Sequence, residues 1–238
     1  MTLTLFHCPD WASTIILLAL EEVGQPCVLH PMDWDAGDFD APAFRAVNPL
    51  GLIPTLQTPD GPIFETAAIL LWLNARHGGL APAPHEAERA AFLSWLMFVS
   101  NSIHPTVMIM LHPDRPAGEA AAQAAGRLAL ERLTAQAAHL ETLLTPRAPR
   151  WLTPEQPALG HYLGILFRWA AFLPEDPTLR FSLAPFPALT AMLAAHEATP
   201  AARRVAIADG LGPHPFTQPV IDQPGLTLPG IIQPEAPE

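Results

Sequence analysis

Residues 48–73 read NPLGLIPTLQTPDGPIFETAAILLWL, and the middle of this stretch conflicts with itself. The run 53–57 has the composition of a strand, yet Pro54 lacks the N–H that a ladder needs where pairing begins. The turn Thr58-Pro59-Asp60-Gly61 then sends the chain back as a partner strand around 62–64. A polar pair, Glu65-Thr66, opens an apolar helix that runs to His77, and Gly78-Gly79 suits a left-handed cap.

A proline at the entry of a strand has a use if its peptide bond is cis. The bent main chain then offers the N–H and C=O of Ile53 outward, where an extended peptide can pair with them. At Glu65-Thr66 the first helical N–H groups have no internal partners, so a carboxylate can dock there beside the Thr66 hydroxyl while Glu65 takes an ammonium. Singly, Pro54 also reads as a trans edge-strand proline and Glu65-Thr66 as an ordinary helix start. Together, in this order and spacing, they describe a clamp for a peptide with a free α-amino acid end.

Working outward, LTLFH (3–7) is a strand candidate and 11–23 a helix closed by Gly24. PCVLHPM begins a second strand, and 42–47 is a short helix ending at Asn48-Pro49. The order to residue 79 is βαβαββα. Beyond the linker LAPAPHEAE the period becomes helical: 85–111, 118–144, 158–172, 187–196 and a last turn near 201–208. That change of period predicts an α/β domain over 1–79, an all-helical domain over 86–210, and a proline-rich tail, 211–238, that is extended or disordered.

The 238 residues carry a formal charge of −11, and all 12 basic residues are arginine. Such a surface argues against nucleic acid and against anionic membranes as partners. Residues 90–111 have membrane-spanning length, but Ser100, Asn101, Ser102, His104 and Pro105 interrupt them, which favours a buried helix. Cys8 and Cys27 are too few for a disulfide framework and the N-terminus lacks a secretion signal, so the expected location is cytoplasmic. No Gly-rich phosphate loop, Cys-x-x-Cys pair or ligand-spaced histidines occur, so neither a metal nor a nucleotide is expected.

The arrangement NPLGLIPTL, a DG turn and FETAAILLWL, together with LFHCPDWASTIILLALEEVG near the N-terminus, resembles the cytosolic glutathione S-transferases, in particular the bacterial beta class. The resemblance is strong over the first 80 residues and looser to about 210. It implies a thioredoxin-like α/β domain followed by an all-α helical bundle. It also implies that Ile53 and Pro54 bind the cysteinyl part of glutathione, that Glu65 and Thr66 hold its γ-glutamyl end, and that the chain acts as a homodimer. Glutathione would be the co-substrate and a small apolar electrophile its partner. The alternatives are glutathione-dependent disulfide or peroxide reduction, and a non-catalytic member that binds a peptide or protein.

In this family the glutathione sulfur lies at the start of the first helix, where donors lower the thiol pKa, because only the thiolate attacks. Here the usual serine or cysteine positions fall on Asp10, Trp11 or Ala12, none of which carries a hydroxyl or thiol. Asp10 reads as the helix N-cap. The remaining catalytic candidates are Ser13, Cys8, which precedes a proline as in redox motifs, and His104, which falls where the beta class carries a site histidine. A second departure is QPALGHYL (156–163), where Pro157 and Gly160 replace the family's Ser/Thr-x-x-Asp capping box.

Overall fold

The computed structural model describes residues 2–220 and 231–232. These divide into two compact units: one contains Met1–Leu80 and Pro200–Pro213, the other Ala81–Thr199 and His214–Val220.

The first unit is built on a mixed sheet of β1 (Leu3–His7), β2 (Cys27–Pro31), β3 (Thr55–Thr58), β4 (Gly61–Phe64) and the short β5 (Ile231–Ile232), in the order β4-β3-β1-β2-β5. β1 runs parallel to β2, with Leu5 opposite Leu29, and antiparallel to β3, with Leu5 opposite Leu56. Alternation along β1 buries Leu3, Leu5 and His7 on one face. On the other face Phe6 packs on Phe44 of α2 (Pro42–Val47), with ring centres 5.0 Å apart. The helices α1 (Ala12–Glu22) and α3 (Thr66–His77) pack against each other. In α1 every residue from Ser13 to Leu20 is buried.

A helix apolar on all sides needs cover all round. Part of that cover comes from the far end of the chain. Helix α10 (Pro200–Ala208) packs against α1 through its buried Ala201, Ala202 and Val205, and Arg204 Nε lies 2.7 Å from Glu21 Oε2. Residues 200–213 therefore belong with the α/β unit rather than with the helical domain expected over 86–210.

The third strand begins at Thr55, two residues later than its composition suggests. Its first ladder partner is Phe64 opposite Thr55, which leaves Ile53 and Pro54 outside the sheet. The Ile53–Pro54 peptide is cis.

The second unit is helical. The expected single helix over 85–111 is instead α4 (Arg89–Phe98), a π-helical turn (Val99–Ile103) and α5 (His104–Leu111). Pro105 occupies the first turn of α5, and the widened turn before it accommodates the missing donor. Phe92, Leu96, Val99, Ile103, Val107 and Met110 form one buried stripe along the three segments. Arg89–Leu111 is also the one stretch among the described residues long and apolar enough to cross a membrane.

After the short α6 (Asp114–Ala117), α7 (Ala122–Leu144) starts later than 118. It packs on α5 and on α9 (Pro187–Glu197), whose first N–H groups, Ala188 and Leu189, donate to Glu141 at 2.9 and 2.8 Å. Helix α8 (Ala158–Phe172) is the centre of the unit, buried from Ala158 to Ala170.

Of the tail expected to be extended or disordered, residues 211–220 are irregular but anchored. The fully buried Arg168 donates to the Val220 carbonyl at 2.9 Å. Glu197 accepts from the N–H groups of Phe216 and Thr217, each at 3.1 Å, and Phe216 is buried. Ile231–Ile232 pairs in parallel with Cys27–Val28. The rest of that expectation, 221–230 and 233–238, lies outside the described residues.

Candidate functional site

The loop before β3 is held from within. Buried Asn48 donates its amide to Leu52 O at 2.7 Å and to Thr55 Oγ1 at 3.0 Å, while its own oxygen accepts the Leu50 N–H at 3.0 Å. Thr55 Oγ1 donates to Leu52 O at 2.8 Å. With its neighbours so fixed, the Ile53 main chain has no hydrogen-bond partner among the described residues. Sequence reasoning noted Asn48 only as a helix stop; its role as scaffold, like that of Thr55, had no local signal beyond the Asn-Pro pair.

At the start of α3 the residue outside the helix is Glu65, with φ 72° and ψ 118°. That is a left-handed φ on a residue with a Cβ, a conformation that costs about 1 kcal/mol or more and concentrates at binding sites. Its carbonyl accepts the first helical bond, from the Ile69 N–H at 3.0 Å, and its side chain makes no cap. The N–H groups of Thr66, Ala67 and Ala68 have no partner among the described residues, Thr66 is buried, and the Glu65 carboxylate is exposed. This end of α3 presents free N–H donors with a carboxylate beside them, a chemistry that suits an anion carrying an ammonium.

The start of α1 is built differently. Trp11, not Asp10, occupies the cap position and supplies no side-chain bond, while Asp10 takes a left-handed φ of 58°. Ser13 is fully buried; its hydroxyl donates to Cys8 O and accepts the Cys8 N–H, both at 3.1 Å. The hydroxyl is thus spent on holding the turn over residues 8–13. The N–H groups of Ala12 and Ser13 remain without a partner among the described residues. Trp11, 38% exposed, stacks on Phe39 at 5.5 Å, and Phe39 belongs to the cluster with Met32 and Phe44 on which Ile53 packs.

Cys8 is half-buried, and its thiol is pushed up to about 11 by burial first and then by the carboxylates of Asp209, Asp33 and Asp10. Cys27 is pushed up to about 12 by burial and by Glu21. Behind the same turn lies a group that no local pattern in the chain announces. The buried Asp209, just after α10, has Oδ2 2.5 Å from Thr14 Oγ1 and Oδ1 3.1 Å from His7 Nε2.

His104 lies in the second unit. Its Nδ1 is 2.8 Å from the Tyr162 hydroxyl, and its ring meets those of Tyr162 and Trp169 at 5.7 and 5.9 Å. Burial pulls its pKa down to about 4, so the imidazole is neutral at physiological pH.

The first 75 residues match the family model described as "Glutathione S-transferase, N-terminal domain". Beyond that segment, the fold of a glutathione transferase from Methylococcus capsulatus superposes with a TM-score of 0.74 at 27% identity, over 88% of this chain and all of that one. A sphingomonad glutathione S-transferase complexed with glutathione gives 0.70 at 27% identity, again over 88% of this chain and 100% of that one. Residues 1–75 carry the glutathione S-transferase N-terminal domain, and the chain shares the fold of glutathione transferases over most of its length.

Among curated relatives, the uncharacterized GST-like protein YncG of Escherichia coli is 32% identical over 126 residues, 50% of this chain and 58% of that protein. A probable elongation factor 1-gamma of Arabidopsis thaliana is 31% identical over 99 residues, 41% of this chain and 24% of that protein. The matches therefore span well under two thirds of these relatives' own lengths. The family-model segment contains Cys8, Ser13 and residues 53–66 but ends far short of Asp209. Among the described residues no group of three or more histidine, cysteine or acidic side chains is placed to hold a metal.

Proposed function

We propose that the chain binds glutathione and activates its thiol for attack on a small apolar electrophile. One observation carries this reading: a single unit holds an Ile53 main chain and a helix start at Glu65-Thr66 whose polar groups have no hydrogen-bond partner among the described residues. In the proposed pose the cysteinyl main chain pairs with Ile53, beside Pro54. The γ-glutamyl carboxylate takes the N–H groups at the start of α3 with help from Thr66, and the γ-glutamyl ammonium meets Glu65.

The sulfur then sits at the start of α1, where the Ala12 and Ser13 N–H groups are its donors. In this arrangement Ser13 acts by holding the turn and Cys8 stays protonated, while neutral His104 has no part in holding the thiolate. The thiol proton leaves to water. The sulfur lone pair forms the C–S bond, and the leaving group departs with its electron pair, as chloride does from a chlorinated nitrobenzene. A cytoplasmic homodimer is part of the same proposal, tested by sedimentation of the purified chain.

Calorimetry with glutathione, in the wild type and in Thr66→Val, tests the binding step. Heat of binding that weakens in the variant supports it; no heat at millimolar glutathione overturns it. A second reading, a non-catalytic binding member, is favoured by the carboxylates Asp10, Asp33 and Asp209 around the turn where a thiolate must form. Turnover of chlorodinitrobenzene separates the two readings. Reduction of a glutathione mixed disulfide without conjugation would instead select the disulfide-reductase alternative, for which Cys8, with its raised pKa, is poorly suited.

A further inference from the structure

The carboxylate of Asp209 is buried at 5% exposure and approached by two donors from the other end of the chain. Thr14 Oγ1 comes from the first turn of α1, and His7 Nε2 from the last residue of β1. A carboxylate only accepts, so His7 must present Nε2–H to it; His7 Nδ1 is buried without a partner. His7 and Thr14 flank the turn over residues 8–13, so one carboxylate ties both ends of that turn. Arg204, on the helix that Asp209 follows, pairs with Glu21 rather than with Asp209.

We propose that Asp209 is a positioning residue for the thiol at the start of α1: it holds His7 and Thr14 on either side of residues 8–13 and places a fixed buried negative charge behind the sulfur. The thiol seat rests on the glutathione reading above; the effect on the turn does not, because Cys8 reports on it directly. The charged and titratable groups around the turn are Asp10 before α1, Asp33 after β2, His7 and Cys8 at the end of β1, and the Arg204–Glu21 pair between α10 and α1. Asp209 and Asp33 both raise the Cys8 thiol, but Asp33 is exposed and Asp209 is not. Salt screens the first and leaves the second.

The test is alkylation of Cys8 by iodoacetamide at pH 8, followed by peptide mass spectrometry so that Cys27 is counted separately. Asp209→Asn keeps the size and removes the charge. It should speed Cys8 alkylation about 3- to 10-fold, both at low salt and at about 1 M salt, where the screening length falls to roughly 3 Å. Asp33→Asn should give a smaller rise that disappears in salt. In the same Asp209→Asn protein the rising, acid-side limb of glutathione-dependent kcat/KM should move to lower pH.

An unchanged Cys8 rate in a folded Asp209→Asn protein overturns the proposal. A changed Cys8 rate with no glutathione turnover in any form supports the proposal and defeats only the glutathione reading. Should Asp209→Asn fail to fold, Thr14→Val decides: an altered Cys8 rate restored by Thr14→Ser supports positioning, and a wild-type rate in Thr14→Val overturns it.

Discussion

In the proposed pose two helix starts of the α/β unit share one task, holding a negative charge, and they are equipped in opposite ways. α3 begins after a strained Glu65 with three N–H groups unfilled and no competing carboxylate capping them. α1 begins at an exposed tryptophan, has its one nearby hydroxyl spent on the Cys8 main chain, and lies within reach of three carboxylates. Both helices have the same dipole, so the difference is made by side chains. Under the proposed function the seat for the peptide's end is well prepared, and the seat for its sulfur depends on backbone donors working against a negative surrounding.

Reversing the charge at the better-prepared start should have the largest effect. Glu65→Arg removes the partner of the ligand ammonium and puts a like charge in its place, and glutathione affinity should fall by roughly 100-fold or more in calorimetry. A loss below about threefold would show that α3 is not the seat and would break the contrast.

Next in size is the support behind α1. Asp209→Leu leaves His7 and Thr14 buried without their acceptor, and chemical denaturation should show a loss of about 2–4 kcal/mol. An unchanged midpoint would mean that the turn over residues 8–13 holds itself.

The helical unit supplies an independent acid limb that sharpens the comparison by keeping proton effects on folding apart from those on the thiol. Folded His104 is held near 4 against an ordinary value of 6.5. As pH falls the unfolded chain takes the proton first, so stability that is full above about 6.5 drains away toward about 4. The melting temperature should drop by several degrees over that window in wild type and less in His104→Asn, whose shorter amide can still meet Tyr162. Equal slopes would remove His104 from the acid response.

The smallest effects belong to the two side chains nearest the weaker seat. With its thiol near 11, Cys8 is about one part in ten thousand thiolate at neutral pH, so Cys8→Ala should change conjugation by less than about twofold. Ser13→Ala should cost roughly 1 kcal/mol of stability through the lost turn bonds, with a comparably small change in kcat. A hundredfold fall in either variant would move catalysis back to that side chain and erase the distinction between the two starts.

What could be read from the sequence follows from how far apart the interacting residues lie. The helix over 158–172 is legible to the residue, because an apolar run ends cleanly on both sides. The Gly61 turn and the Glu65-Thr66 helix start are equally local. The start of β3 was misplaced by two residues because composition cannot show which residues find a ladder partner. The stretch 85–111 reads as one continuous helix because a widened turn preserves the apolar stripe that identifies it. Asp209 was beyond reach: its donors are 195 and 202 positions away, and nothing near it in the chain marks it as other than a helix end.

The route of the last segment has a practical consequence for anyone dividing this molecule. From Pro200 to Pro213 the chain serves the sheet-bearing half, and from His214 to Val220 it serves the helical half. Cutting after Gly79 to obtain a minimal tripeptide-binding fragment would strip α1 of its outer covering and release Thr14 and His7 from their shared acceptor. A deletion from residue 200 onward would in addition take from buried Arg168 its acceptor at Val220 and from Glu197 its donors at Phe216 and Thr217. Halves made by splitting at the linker should therefore be sticky and short-lived, and the smallest well-behaved version of this protein should extend at least to Val220.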